Sequence, residues 1–95
     1  MKTERPEVSK ESLQEAFDLV RGAMTNQIEK KGPHAFSSMH EAYGVLCEEL
    51  NLESLREIQR NSRPGFISEM IDVAVGALWA IATAQEWNRQ DRKQR

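Results

Sequence analysis

The 95-residue sequence predicts an all-α fold, three helices in one small domain. Three observations predict it. Apolar residues recur at spacings of three and four along long stretches, the period of an amphipathic helix. No apolar–polar alternation runs far enough for a strand, and no Asn-Gly or Asp-Gly pair offers a hairpin turn. Gly-Pro at 32–33 and Pro-Gly at 64–65 fall between the periodic stretches and divide the chain into helical segments.

A helical domain is expected over 9–90, after a flexible leader at 1–8 around Pro6 and before a frayed basic tail at 91–95. The first helix starts near Ser9 or Ser12. Leu13, Phe17, Val20, Met24 and Ile28 form one apolar stripe. Lys30, Lys31, Gly32 and Pro33 stop it: lysines suit the negative helix end, Gly suits a left-handed cap, and Pro cannot continue. The second helix starts at Ser37 or Ser38, where Ser38 and Glu41 have capping-box spacing. Met39, Tyr43, Leu46 and Leu50 form its main stripe, and Val45 and Leu52 a second. Beyond Asn51 the pattern weakens, leaving a continuation, a kink or a separate helix open for 52–60. Asn61 or Ser62 is placed to cap the third helix, expected from Phe66 to Gln90. From Ile71 to Ala84 that helix is apolar on nearly every side, which predicts burial all round. Two other helices of so short a chain struggle to cover it. The expectation is therefore a three-helix chain that completes a four-helix-bundle-like homo-oligomer, with Gly76 and the neighbouring alanines allowing close helix approach.

Composition narrows the function. With 13 Lys+Arg against 15 Asp+Glu, the net charge of -2 argues against a general nucleic-acid binder. The single cysteine, Cys47, excludes an internal disulfide. The opening MKTERPEVSK lacks the apolar core of a secretory signal. The apolar stretch from Met70 to Ala84 is interrupted by Asp72 and is short for a membrane span. A cytoplasmic location, with no membrane contact, is the expectation.

The charges are unevenly placed. Residues 32–57 hold five acidic groups against Arg56 alone. Glu69 and Asp72 are the only charges between 69 and 85, and their i, i+3 spacing puts them on one helix face. Unpaired carboxylates on an apolar helix are costly unless a cation sits between them, and oxygen ligands suit Mg²⁺ or Mn²⁺. The competing reading is two acidic residues favouring the positive end of a helix, with Arg60 or Arg63 folded onto them. Glu48 and Glu49, with Glu53 four residues after Glu49, form either a solvated edge or the facing half of a cation site. Neither His34 nor His40 sits in a Glu-x-x-His spacing, which disfavours a di-iron bundle.

The run His40-Glu41-Ala42-Tyr43-Gly44-Val45-Leu46-Cys47-Glu48-Glu49-Leu50, followed by Glu69-Met70-Ile71-Asp72, resembles the MazG-like all-α nucleoside triphosphate pyrophosphohydrolases, especially short phage-type members. The family motif is Glu-Glu-x-x-Glu on one helix and Glu-x-x-Asp on the next. Glu48, Glu49, Glu69 and Asp72 match it. Leu52 stands where the third glutamate belongs, and Glu53 follows one residue late. The resemblance spans about residues 36–84 and implies a metal-dependent hydrolase that converts a nucleoside triphosphate to the monophosphate and pyrophosphate. It implies Mg²⁺ or Mn²⁺ held by Glu48, Glu49, Glu69 and Asp72, with Glu53 a further candidate, and a homodimer or higher oligomer. Arg60, Arg63 and Lys31 are candidates for the substrate phosphates. No catalytic residue beyond the ligands is assigned. The alternative left by Leu52 is a helical homologue that keeps the bundle without the reaction, as an oligomerisation or nucleotide- or partner-binding module.

Overall fold

The computed structural model describes residues 5–93. They form α1 (Lys10–Lys31), α2 (Met39–Glu48), α3 (Leu55–Gln59) and α4 (Arg63–Lys93). Between α2 and α3, Glu49–Ser54 winds as a π-helix, so α2, the π segment and α3 are one irregular helical rod. There is no strand among the described residues, and the fold is all-α.

Local chemistry sets the ends. The Ser9 hydroxyl accepts a hydrogen bond from the Ser12 amide at 3.1 Å and caps α1. At the other end Gly32 adopts φ 79°, a region that favours glycine, and its amide donates to the Ile28 carbonyl at 2.9 Å. Ser38 caps α2 by accepting from the Glu41 amide, and the Glu41 carboxylate accepts from Ser37 rather than Ser38, each at 3.1 Å. The capping box is present but displaced by one residue.

The open segment 52–60 resolves into the end of the π segment followed by α3. α3 closes in a Schellman motif, with the Ser62 amide donating to the Glu57 carbonyl and the Asn61 amide to the Ile58 carbonyl, both at 3.0 Å. Asn61 supplies the left-handed residue at φ 54°. Asn61 therefore ends α3, while Ser62 caps α4 through the Gly65 amide. α4 begins at Arg63, ahead of the expected Phe66, and continues beyond Gln90 to Lys93. The expected frayed tail is thus helical over 91–93, where Arg92 and Lys93 suit the negative helix end. Residues 94–95 of that tail and 1–4 of the expected leader lie outside the described residues.

The core is thin. Ala42 and Val75 are the only buried apolar side chains among the described residues. α1 buries none, and Phe17 on its stripe is 65% exposed. The rest of the chain covers little of α4: only Val75 and Thr83 are buried, and Ile81 is 56% exposed. Gly76 does permit close approach, but to α2 of the same chain. A Cβ there would stand 3.1 Å from a Leu46 methyl. The radius of gyration is 16.5 Å, against roughly 12 Å for a compact chain of this length. An 18-residue window of α4 reaches a mean hydropathy of 1.6 with 6% of it buried. By length and composition alone α4 could cross a membrane, a criterion that the core helix of a helical assembly also meets.

Candidate metal centre

The π segment and α4 bring four carboxylates together. Glu49 and Glu53 come from the first, Glu69 and Asp72 from the second, and one oxygen of each lies within 4.8 Å of all the others. Each helix contributes residues on one face: Glu69 and Asp72 by i, i+3 spacing, Glu49 and Glu53 by i, i+4. The competing account of Glu69 and Asp72 as dipole partners loses its geometry. α4 starts at Arg63 and has no acidic residue in its first turn, where the dipole effect is concentrated.

The π winding explains why Glu53 is present and Leu52 is not. Closing rings from i to i+5 instead of i+4 inserts about one extra residue in the helix. Residues beyond the insertion are set back by one α-helical step, about 100°. Glu53 thereby takes the direction that residue 52 would have in an unbroken α-helix. Leu52 is turned outward and is 62% exposed. Glu48 is also exposed and lies outside the group of four. Of the expected ligands, the fold thus assembles Glu49, Glu69, Asp72 and Glu53, but not Glu48.

Crowding shows in the acidities. Burial, the adjacent Glu53 carboxyl, and the charges of Asp72 and Glu69 push the Glu49 carboxyl from 4.5 up to about 7. Glu69 is raised by burial and by Glu53, with smaller contributions from Asp72 and Glu57. Asp72 is raised by burial and by Glu53, with Lys31 pulling the other way. Glu49 Oε2 and Glu69 Oε2 are buried and have no hydrogen-bond partner. Orphaned carboxylate oxygens are expensive in a protein interior. A hard cation with oxygen ligands satisfies both and removes the repulsion, so the residues present fit Mg²⁺ or Mn²⁺.

A cleft of about 350 Å³ opens beside the cluster, with Glu49 and Asp72 in its wall alongside Lys31, Phe36 and Trp79. Two hydrogen bonds pin the loop that closes it: the Trp79 indole donates to the His34 carbonyl at 2.7 Å, and the Phe36 amide donates to Thr83 Oγ1 at 3.2 Å. Of the expected phosphate partners only Lys31 lines the cleft. Arg60 is drawn to Glu57 at 3.8 Å, and Arg63 is the first residue of α4. Trp79 lies in the apolar stretch of α4, where the sequence pattern signals burial only. Its anchoring bond to the loop had no sequence signal, because the acceptor is a backbone carbonyl 45 residues away.

No family model matches the chain, and no curated protein or solved structure matches it either.

Proposed function

We propose that the chain is a metal-dependent nucleotide pyrophosphohydrolase, converting a nucleoside triphosphate to the monophosphate and pyrophosphate. The observation that carries this is the cluster of Glu49, Glu53, Glu69 and Asp72, with two orphaned oxygens, beside a cleft that Glu49 and Asp72 line together with Lys31. A net-negative site repels a triphosphate unless a cation inverts its charge. A divalent cation held by these four residues would supply that inversion, together with activation of a water.

The remaining roles belong to the chain itself. Lys31 is the one lysine or arginine in the cleft wall among the described residues, and would meet the phosphate chain. Phe36 and Trp79 give the cleft apolar surface for the rest of the nucleotide, and the His34 and Thr83 hydrogen bonds hold that wall in place. The alternative of a bundle without the reaction drew its support from Leu52. With Glu53 in the cluster that support is removed, and the hydrolase is the better reading.

The apolar surface left on α1 and α4 supports self-association. A second groove of about 230 Å³, lined by Met39, Tyr43, Leu46, Ala80 and Trp87 among others, continues this surface on the α2–α4 side. Exposed patches of this kind mark interfaces. A second copy completing a four-helix bundle covers it without drawing the Asp72 end of α4 into hydrocarbon, where a carboxylate is disfavoured. We accordingly place the protein in the cytoplasm as a homo-oligomer, with no nucleic-acid partner.

The test is direct. The purified chain is incubated with a panel of nucleoside triphosphates in Mg²⁺, in Mn²⁺ and in chelator, and pyrophosphate is measured. Metal-dependent release of pyrophosphate with monophosphate supports the proposal. Release of orthophosphate instead, or no turnover of any triphosphate, overturns it.

A further inference from the structure

Ser54 is the most buried side chain among the described residues, at 1% exposure, in a chain that leaves phenylalanine, isoleucine and leucine in water. A hydroxyl so enclosed needs a partner, and it has one: Ser54 Oγ donates to the Glu49 carbonyl at 2.9 Å. The spacing is five residues. Serines in ordinary α-helices bond back three or four residues, so this bond spans the widened ring of the π segment and no other.

We propose that Ser54 is a positioning residue for the carboxylate centre: its hydroxyl fastens the wide turn that delivers Glu53, instead of Leu52, to Glu49, Glu69 and Asp72. This rests on the reading of the cluster as a divalent-cation site. The bond ties the backbone of one ligand residue, Glu49, to the residue directly after another, Glu53. An uninterrupted α-helix through 49–54 advances the chain by one step and points Leu52 at the cluster, leaving three carboxylates. An isolated π turn is a rare winding, so something local must favour it. The Ser54 bond is stored in the π form only, and a buried hydroxyl of this kind biases such an equilibrium by about fivefold.

Deleting Leu52 isolates the role. The shortened segment reads Glu48-Glu49-Leu50-Asn51-Glu53 and carries Glu53 to the cluster in a regular α-helix, with the register of α3 against α4 preserved. Ser54 then has no wide turn to hold. Mn²⁺ affinity is measured by electron paramagnetic resonance for the native chain, Ser54→Ala, the Leu52 deletion, and the deletion combined with Ser54→Ala. Ser54→Ala is expected to bind Mn²⁺ about two- to threefold more weakly than native, the loss that a fivefold shift causes when the π form is half to three-quarters populated, and the double variant as tightly as the deletion alone. Native affinity in Ser54→Ala overturns the inference while leaving the cation site standing. An equal loss from Ser54→Ala in both backgrounds also overturns it, since that is the mark of a general packing role. Absence of Mn²⁺ binding by the native chain overturns the cation site and this inference with it.

Discussion

In the absence of divalent cations, raising the pH from 5 to 8 should cost this protein stability, and Glu49 should account for most of the loss. Its carboxyl titrates at about 7 in the fold against 4.5 in an unconstrained chain. The folded state therefore holds the proton more tightly than the unfolded state. Its contribution is whole below pH 4.5 and is lost as the pH rises through 7. At 1.36 kcal/mol per pKa unit, the gap amounts to about 3.4 kcal/mol. Partial exposure and solvent screening reduce it to about 2 kcal/mol. In a chain this short, that corresponds to a fall in melting temperature of about 10 °C. Glu49→Gln keeps the shape of the side chain and removes the titration. The assay is urea denaturation followed by circular dichroism, at fixed protein concentration in chelator, for both proteins at several pH values. The difference in stability between Glu49→Gln and native should grow by about 2 kcal/mol from pH 5 to 8. Saturating Mg²⁺ should abolish that growth, because the cation displaces the proton. A difference that stays flat with pH, or shrinks, refutes the crowded-carboxylate reasoning.

Other outcomes follow from the same geometry. Leu52→Glu creates a Glu-Glu-x-x-Glu spacing at 48–52 but should leave Mn²⁺ affinity in calorimetric titration unchanged, because residue 52 points outward. Glu53→Gln in the same titration should weaken binding tenfold or more, since truncating a charged partner costs about 1.5–3 kcal/mol. Lys31→Ala should raise KM for the triphosphate about tenfold with little change in kcat, by loss of a charge-assisted phosphate contact, read from initial rates of pyrophosphate release. Ala80→Arg should shift the light-scattering mass toward the monomer by placing an unpaired charge in the α2–α4 groove.

Much of this architecture is legible in the sequence because it is set locally. Ser9 and Ser38 announce helix starts, and Gly32 announces a stop, since each acts on backbone groups within four residues of itself. Glu69 and Asp72 stand out as the lone charges on an apolar helix, and the fold does bring them against Glu49. The fourth carboxylate was harder to place. Periodic reasoning assumes about 3.6 residues per turn, and on that assumption Leu52 occupies the ligand direction and Glu53 misses it. The π winding changes the period over six residues, and its only local trace is the buried Ser54. Glu48 lies outside the group for a simpler reason: it stands one residue, about 100° of helix rotation, from Glu49. The surroundings of α4 also escaped the sequence: its pattern calls for cover on all sides, but periodicity alone does not say which chain provides it.

The most direct test of the central claim is Mn²⁺ titration of the native chain at pH 7.5, followed by electron paramagnetic resonance. The four carboxylates predict saturable binding that depletes the free-Mn²⁺ signal at micromolar concentrations and is reversed by excess Mg²⁺. A free-Mn²⁺ signal identical to that of buffer at every concentration would contradict the account.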